Sequence, residues 1–434
     1  MDYKRYTLDN GLRVIVCEDA STPMVSTNIL YGVGSRDEEE TRTGFAHLFE
    51  HLMFGGTKAV PDFDAVLTEV GGESNACTST DTTNYYLTLP AKYLETGLWV
   101  ESDRMRLLDF SERNLKVQQS VVTEEYNYRY INQPYGDVWL LLRPLCYKVH
   151  SYRWPTIGMD IRHVQEATLS DVERFFYSHY RPSNAILAVV GNVKGDEVAR
   201  LADKWFGDIG NGERRTENGE RRTENGERRV LAGSANGNGE RSVEPEQTEG
   251  RLVEVERDVP SDALYMGFVM SERVDADFRT TDIISDILSN GNSSRMYEHL
   301  VRQRGLFSEL DTYVTGEADR GLFIVSGKMA QGVSLDEGRA AVWEELERIA
   351  AEPVADREIE KVCNKFENTY SVNSYKSADC AALLCMDEWL GHLEWVNDEP
   401  ALYRLTTAED VRRVAGRLFR REHENVLYYK AKRM

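Results

Sequence analysis

A repetitive polar segment divides the chain into two halves. Residues 211–229 read NGERRTE, NGERRTE, NGERR, and the stretch that continues to Gly250 is rich in Gly, Asn, Glu and Arg. It nearly lacks large apolar side chains, so it has no face that a helix or strand could bury, and its seven-residue unit lacks the apolar a and d positions of a coiled coil. Residues 211–250 are therefore predicted to be a flexible linker between domains at 1–210 and 251–434.

The two halves carry similar segments near their ends. TLSDVERFFYSHYRPSNAILAVVG begins at Thr168, and TAEDVRRVAGRLFRREHENVLYYKA begins at Thr407. Each has the pattern of a capped amphipathic helix, a turn and a buried strand. Asn184 matches Asn425, 241 positions later. These correspondences indicate a duplicated structural unit.

Periodicity predicts the fold class. TNYYLTLP (83–90) alternates like a half-buried strand, GLFIVSGKM (321–329) is typical of a buried strand, and the opening MDYKRYTLDNGLRVIV predicts two strands joined by a DNG turn. Residues 101–130 are largely helix-forming. Strands joined by hairpins favour antiparallel-rich sheets with helices on one face, so the predicted class is α+β.

The segment GFAHLFEHLMF, residues 44–54, contains two histidines in a chain that has eight. On a helix, His47 and His51 are one turn apart on the same face, so their imidazoles can bind one zinc ion. Glu50 lies beside that face, where it can take a proton from a metal-bound water. HxxEH is the inverted zincin motif. The alternative is a solvated pair of histidines on an amphipathic helix.

The second half contains a related helix without this chemistry. HLFEHLMFGG aligns with DIISDILSNG, 235 positions later, and both segments are predicted helices that end at a glycine. The three polar positions differ between the copies: His47, Glu50 and His51 correspond to Asp282, Ser285 and Asp286. Only the first copy is therefore predicted to carry a metal-binding triad.

A catalytic zinc ion needs a third protein ligand and an open coordination position. Glu124 and Glu125, in the predicted helix QQSVVTEEYNYRY (118–130), are the candidates. Adjacent residues on a helix diverge by about 100°, so at most one of them can face the metal squarely. The alternative for an acidic pair is a solvated helix face. The pattern alone leaves the choice open.

The chain resembles the pitrilysin family of zinc metallopeptidases, which includes insulin-degrading enzymes and mitochondrial processing peptidase. The resemblance is carried by HLFEH with LMFGGT, GGESNACTSTDTTNYYLTLP, VVTEEYNYR, WPTIG, RPSNAILAVVGNV and SSRMYEHLVRQRG. It implies two homologous α/β sandwich domains that face each other across a chamber. It also implies one Zn²⁺ per chain on His47, His51 and Glu125, with Glu125 preferred to Glu124, and Glu50 as the general base.

The family also uses an Asn-Ala stretch on an edge strand that pairs with the substrate backbone. The resemblance carries this role to Asn75, Ala76 and Thr78. Strand addition requires a substrate with free N–H and C=O groups, which implies short or unfolded peptides. The alternative for Asn75 is a turn residue.

Three positions depart from the family pattern. Gln118 replaces a glutamate that in many members supports the zinc ligands from the second shell, which implies weaker metal binding or another supporting group. Val301 and Ser308 occupy positions where many members have an Arg and a Tyr that hold the substrate. Half-length members act as dimers, so a homodimer or a heterodimer with a homologous chain is implied.

Composition restricts the partners and the location. The net charge of −21 argues against nucleic acid and anionic membrane surfaces as partners. No apolar run reaches about 18 residues, so no membrane span is predicted. The six cysteines are scattered without a CxxC pair, and the opening residues do not read as a signal peptide. These features predict reduced thiols and a cytoplasmic location.

The predicted function is a zinc-dependent endopeptidase that hydrolyses short or unfolded peptides. The alternative is a non-catalytic or partner-dependent subunit of a processing-peptidase-like heterodimer. Such subunits usually lose residues of the inverted motif, so the intact His47, Glu50 and His51 favour the enzyme. An acidic binding module without chemistry is the third hypothesis.

Overall fold

The computed structural model describes residues 1–211 and 242–432, together with a pair of two-residue strands at Arg214–Arg215 and Arg221–Arg222. Most of the predicted linker, residues 211–250, lies outside the described residues, and its flexibility stays a prediction.

The chain forms two compact units, each discontinuous in sequence. Unit 1 contains Met1–Tyr126, Pro155–Arg241 and Ser371–Asn397, and unit 2 contains Asn127–Trp154, Ser242–Tyr370 and Asp398–Met434. The predicted boundaries, 1–210 and 251–434, differ from these units in two segments, 127–154 and 371–397. Each of these segments belongs to the unit that is formed mainly by the other half of the chain.

Unit 1 contains a six-stranded mixed sheet. Its strands are β1 Lys4–Thr7, β2 Arg13–Glu18, β3 Met24–Tyr31, β4 Glu73–Thr78, β5 Thr83–Pro90 and β6 Ala185–Gly191. Their order is β1-β2-β6-β3-β5-β4, and all neighbours are antiparallel except β2 and β6. The predicted opening hairpin and the predicted strand at 83–90 are confirmed. Strand β4 lies at one edge of the sheet.

Unit 2 repeats this arrangement with five strands. They are β7 Arg251–Arg257, β8 Ala263–Val269, β9 Phe307–Val314, β10 Leu322–Met329 and β11 Asn425–Ala431. Their order is β9-β10-β8-β11-β7, and only β11 and β7 are parallel. The order and directions match β4-β5-β3-β6-β2 strand by strand. The predicted duplication and the antiparallel-rich α+β class are therefore confirmed.

The α-helices of the described residues are α1 Phe45–Leu52, α2 Phe63–Glu69, α3 Leu94–Arg106, α4 Glu112–Tyr126, α5 Val138–Cys146, α6 Arg162–Gln165, α7 Leu169–His179, α8 Gly195–Phe206, α9 Ala276–Ser289, α10 Leu335–Ala351, α11 Asp356–Ser374, α12 Ser377–Leu390, α13 Trp395–Tyr403 and α14 Ala408–Leu418. The helix-forming stretch 101–130 is interrupted at 107–111, between α3 and α4. Ser111 ends this break by accepting a hydrogen bond from the backbone N–H of Asn114 at 3.2 Å, which satisfies one of the free donors at the start of α4.

Hydrophobic contacts explain the two exchanged segments. Leu142 and Leu145 of α5 are buried with Leu427 of β11 in unit 2. Leu384 of α12 is buried with Leu30 of β3 in unit 1. Each exchanged helix therefore covers a sheet of the unit that it joins. An amphipathic pattern predicts that such a helix has a buried face, but not which sheet covers that face.

Two equivalent asparagine–glycine hydrogen bonds, one in each unit, confirm the register of the duplication. The side chain of Asn184 donates to the carbonyl of Gly32 at 3.3 Å, just beyond the paired ends of β3 and β6. Asn425 pairs with Gly267 in the same position between β8 and β11, and donates to its carbonyl at 3.1 Å. Gly267 follows Gly32 by 235 residues. This spacing equals the offset that relates α1 to α9.

The predicted helix ends are confirmed in part. Thr168 with Asp171 and Thr407 with Asp410 form capping boxes at the starts of α7 and α14. Helix α9 ends with the C-cap Asn290 followed by a left-handed glycine, as predicted. For α1 the prediction is wrong. Its C-cap is Met53, the next residue is Phe54, and the left-handed glycine comes later in the turn.

Helix α9 has a half-buried acid, Asp282, in place of the first histidine of α1. The hydroxyl of Tyr403 donates to Oδ2 of Asp282 at 2.7 Å. Burial raises the pKa of Asp282 to about 6, and the nearby Asp286 carboxylate acts in the same direction. Within the described residues, the His, Cys, Asp and Glu side chains that could share a metal ion lie in unit 1. The second copy therefore replaces the motif with a hydrogen-bonded carboxyl group.

Replacing Asp282 by Asn should raise the free energy of unfolding more at pH 8 than at pH 5. The native pKa of about 6 lies above the ordinary value of 3.8, so the ionised carboxylate destabilises the native state at high pH. This cost falls as the pH falls through 6. The amide oxygen of Asn can still accept the Tyr403 hydroxyl. The expected difference between the two pH values is about 1 kcal/mol, measured by urea unfolding of both proteins. An equal gain at both pH values would contradict the assignment.

Candidate metal centre

A buried carboxylate holds the start of α1. The N-cap residue Gly44 has no side chain to satisfy the free N–H groups of the first turn. Glu38, which is 2% exposed, accepts hydrogen bonds from the N–H of Gly44 at 2.9 Å and of Ala46 at 2.8 Å. Burial raises the pKa of Glu38, and these N–H donors act in the opposite direction. A carboxylate here also interacts favourably with the helix dipole.

The WPTIG segment lies against the same end of α1. Gly44 has φ +87°, and a Cβ there would lie 2.7 Å from the carbonyl oxygen of Ile157. Gly158 has φ +93°, and a Cβ there would lie 2.9 Å from the backbone nitrogen of Gly44. Both positions therefore need glycine for their conformation and for the close approach of the two backbones. This contact gives a structural reason for the glycine of WPTIG.

Helix α4 approaches the other end of α1. A Cβ on Gly55 would lie 2.3 Å from Nδ2 of Asn114, a residue in the first turn of α4. Gly55 therefore lies directly against the side chain of Asn114, where α4 begins beside α1. Farther along α4, Val122 is fully buried, and Glu125 follows it by three residues, which places both on the same side of the helix. This face of α4 carries the acidic group of the centre.

The two helices bring His47, His51 and Glu125 together. Oε2 of Glu125 lies 3.6 Å from Nε2 of His47 and 3.3 Å from Nε2 of His51. One ligand atom from each residue lies within 4.8 Å of the other two. The three side chains are 12%, 22% and 18% exposed, whereas Glu124 is exposed on α4. The structure therefore places Glu125 of the acidic pair beside both histidines, and its role as the third ligand stays a prediction.

The donor set fits a zinc ion. Zinc–ligand distances of 2.0–2.2 Å in a tetrahedron separate two donor atoms by about 3.4 Å. The two distances from Glu125 to the imidazole nitrogens lie on either side of this value. Two imidazoles and one carboxylate are also the ligand types of a catalytic zinc site with an open position. The predicted ligands therefore match a zinc site in both chemistry and spacing.

Glu50 lies beside the predicted ligands and accepts a hydrogen bond from a residue of the sheet. It is half-buried on α1, and its Oε2 accepts a hydrogen bond from Oγ1 of Thr78 at 2.5 Å. Thr78 is the last residue of β4. The group predicted as the general base is thus linked directly to the predicted substrate-binding strand.

The predicted substrate-binding residues lie on the edge strand β4. Asn75 pairs with Tyr86 inside the sheet, so the alternative reading of Asn75 as a turn residue is wrong. Asn75 is exposed, whereas Ala76 is buried and Thr78 is half-buried. The side chains therefore point to opposite faces, as alternation in a strand requires. The N–H of Ala76 donates to Oδ1 of Asn75 at 2.8 Å.

The three positions that depart from the family pattern lie in different parts of the fold. Gln118 is half-buried on α4, two turns before Glu125, and so lies on the same helix face. In unit 2, Val301 packs against the apolar core. Ser308 occupies a β-bulge in the edge strand β9, where its hydroxyl donates to the carbonyl of Lys328 at 3.3 Å.

The nearby arginines of unit 2 have acidic partners close by. Arg302 lies 2.9 Å from Glu298, and Arg304 lies 2.6 Å from Glu344. These salt bridges are local to unit 2.

Two parts of the chain match families of known proteins. Residues 13–134 match Insulinase (Peptidase family M16), and residues 166–366 match the Peptidase M16 inactive domain. The chain belongs to peptidase family M16. The first match contains both histidines and Glu125, and the second contains α9, the helix without the motif. The predicted membership of the family is therefore confirmed.

Similar M16 proteins extend this result to the whole chain. The zinc protease PqqE of Helicobacter pylori is 26% identical over 433 residues, which cover 99% of this chain and 93% of that protein. The crystal structure of a protease from Helicobacter pylori matches with a TM-score of 0.89, 26% identity and 99% coverage of both chains. The crystal structure of pitrilysin matches with a TM-score of 0.72 and 15% identity, covering 99% of this chain and 45% of that chain.

Sequence reasoning missed Glu38. It lies in the acidic run DEEE, residues 37–40. Any of these four side chains could accept hydrogen bonds from the free N–H groups of a helix N-terminus, so composition does not single out Glu38. The spacing before Gly44 is too long for a capping box, which joins positions three residues apart. The fold of the intervening loop brings Glu38 to the helix, and no sequence rule predicts that loop.

Other predictions concern location and redox state. Across the described ranges, no helix is long and apolar enough to cross a membrane. The six cysteines are free thiols, five of them buried, with Cys77 exposed on β4. The cytoplasmic location stays a prediction.

Replacing Glu125 by Gln should weaken zinc binding strongly, because the amide removes the charged ligand. The matched change Glu124→Gln removes the same charge from the neighbouring exposed residue and should leave zinc affinity nearly unchanged. The loss at Glu125 should exceed the roughly 10–100-fold that removal of an outer partner of a metal ligand costs. Competition with a chromophoric chelator measures both constants. A larger loss for Glu124→Gln would reverse the ligand assignment.

Proposed function

We propose that this M16 protein is a zinc-dependent endopeptidase that hydrolyses short or unfolded peptides. The observation that carries the proposal is the convergence of His47, His51 and Glu125 beside Glu50. The relatives named zinc proteases support the same class of activity. The proposal goes beyond these names in assigning a role to each residue.

The metal site would hold one Zn²⁺ per chain through both imidazoles and the carboxylate of Glu125. A bound zinc ion supplies Lewis acidity, which lowers the pKa of water towards about 7 and polarises a carbonyl group. The low exposure of the three side chains, between 12% and 22%, would limit competition from bulk solvent.

Glu50 would act as general base and then as general acid. Its carboxylate takes one proton from the attacking water while the water oxygen bonds to the carbonyl carbon of the scissile peptide. The same proton passes to the amide nitrogen as the C–N bond breaks, which releases an amine and a carboxylic acid, and the acid then loses its own proton to the amine or to solvent. Glu50 is next to His51 in the chain and accepts a hydrogen bond from the hydroxyl of Thr78, and both observations support this role.

Strand β4 would bind the peptide by strand addition. It is an edge strand of the sheet of unit 1, and it ends at the residue that contacts Glu50. A peptide paired with its free edge through Asn75 and Ala76 would pass close to the metal centre. Folded proteins do not offer an unpaired backbone, so this mode of binding favours short or unfolded chains.

A second chain is part of the proposal. The chain spans 45% of the pitrilysin chain that it matches, so a second copy or a homologous partner would supply the remaining length. The residues at Val301 and Ser308 lack the side chains predicted from the family to hold substrate, which favours a contribution from such a partner. A homodimer and a heterodimer both fit these observations.

Replacing Glu50 by Gln should leave zinc content unchanged and lower kcat by about 10²–10⁴-fold. The amide keeps the shape of the side chain and its contact with Thr78 but cannot accept the proton. Zinc per chain and the cleavage of a quenched fluorescent peptide, with and without chelator, measure the two effects.

The wild-type chain provides the decisive comparison. Chelator-sensitive cleavage by the wild type and none by Glu50→Gln would support the endopeptidase. A zinc-loaded wild type that cleaves nothing, alone or with a homologous partner, would contradict it and favour the non-catalytic subunit.

A further inference from the structure

We propose that Thr78 is a positioning residue that orients the carboxylate of Glu50. This inference rests on the proposed function and deepens it, because it assigns a role within the same site. Oγ1 of Thr78 lies 2.5 Å from Oε2 of Glu50. This distance is in the range of a hydroxyl that donates to a carboxylate, which is among the stronger hydrogen bonds in proteins.

The contact is specific to this pair. Among the described residues, Thr78 is the single hydrogen-bond donor to the Glu50 carboxylate. Glu50 lies on α1 and Thr78 lies on β4, so the bond joins the helix that carries the predicted zinc ligands to the edge strand of the sheet. Within the described ranges, Glu50 makes no second side-chain hydrogen bond and no ion pair.

The direction of the Thr78 side chain distinguishes this role from a substrate contact. Along β4, Ser74, Ala76 and Thr78 are less exposed than the alternating residues, so the three side chains share the inner face of the strand. The backbone of Thr78 pairs with Thr83 of β5. Its hydroxyl therefore points towards α1, whereas an added peptide would pair with the backbone at the free edge.

One anchored oxygen leaves the other available. With Oε2 accepting the Thr78 hydroxyl, Oε1 remains to take the proton of the attacking water. A general base must reach that proton within about 2.6–3.2 Å, and an unrestrained glutamate side chain samples several rotamers. Because β4 also ends at Thr78, the strand proposed to align the peptide would also align the base that acts on it.

The test compares three variants of the full-length, zinc-loaded protein on one unfolded fluorogenic peptide. Thr78→Val keeps the shape of the side chain and removes the donor, and Thr78→Ser keeps the donor. Ser74→Ala is the matched control, because it removes a hydroxyl from the same face of the same strand, where Ser74 lies 3.4 Å from Asp64. Thermal unfolding and zinc content are measured for each variant.

The expected result separates kcat from KM. Thr78→Val should lower kcat by about tenfold to a hundredfold, with KM within about twofold and zinc content unchanged, because it removes an interaction that acts on the base. Thr78→Ser should restore most of the loss, and Ser74→Ala should behave like the wild type.

Four outcomes would overturn the proposal. A rise in KM with unchanged kcat would make Thr78 a substrate contact, and loss of zinc or of stability in Thr78→Val without rescue by Thr78→Ser would make it a structural residue. Equal activity of Thr78→Val and the wild type would reject positioning while leaving the endopeptidase intact. A wild type that binds zinc and cleaves nothing would reject both proposals together.

Discussion

The close approach of α1 and α4 is the constraint on which the centre depends. Two imidazoles on α1 and one carboxylate on α4 come from segments more than seventy residues apart in sequence. Gly55 lies against the side chain of Asn114 of α4, and Glu38 caps the start of α1. Without α4 beside α1, the HxxEH spacing would place two histidines on a helix face with no third ligand.

The duplicated architecture shows which parts of the fold serve stability and which serve chemistry. Five strands, their directions and the Asn–Gly contact between equivalent strands are the same in both units. The helix after the equivalent strand differs, because α1 carries the metal-binding motif and α9 carries Asp282 bonded to Tyr403. The sheet framework is therefore shared, while the candidate metal centre, formed by α1 and α4, lies in one unit.

Much of the candidate site could be predicted because its information is local. The spacing of His47 and His51 is one helical turn, and this rule needs no tertiary structure. The choice of Glu125 over Glu124 needed the resemblance to the family, since helical geometry excludes one of the pair without naming it. Glu38 could not be predicted, because its role depends on the path of a loop.

In the fold, as in the site, the local features could be predicted and the non-local ones could not. Hairpins, capping boxes and strand alternation are local, and they indicated the α+β class and the duplication. The positions of α5 and α12 are not local. Both helices have apolar residues that must be buried, but burial against either sheet satisfies the hydrophobic pattern equally well.

The exchange of these two helices affects how the chain can reach its native state. Unit 1 completes its core with Leu384 and Cys385 of α12, which leave the ribosome long after β6 has been made. During synthesis, one apolar face of the first sheet therefore stays uncovered until most of the second half has been made. Fragments separated at the repetitive segment would each lack one covering helix, so they should need each other to become soluble.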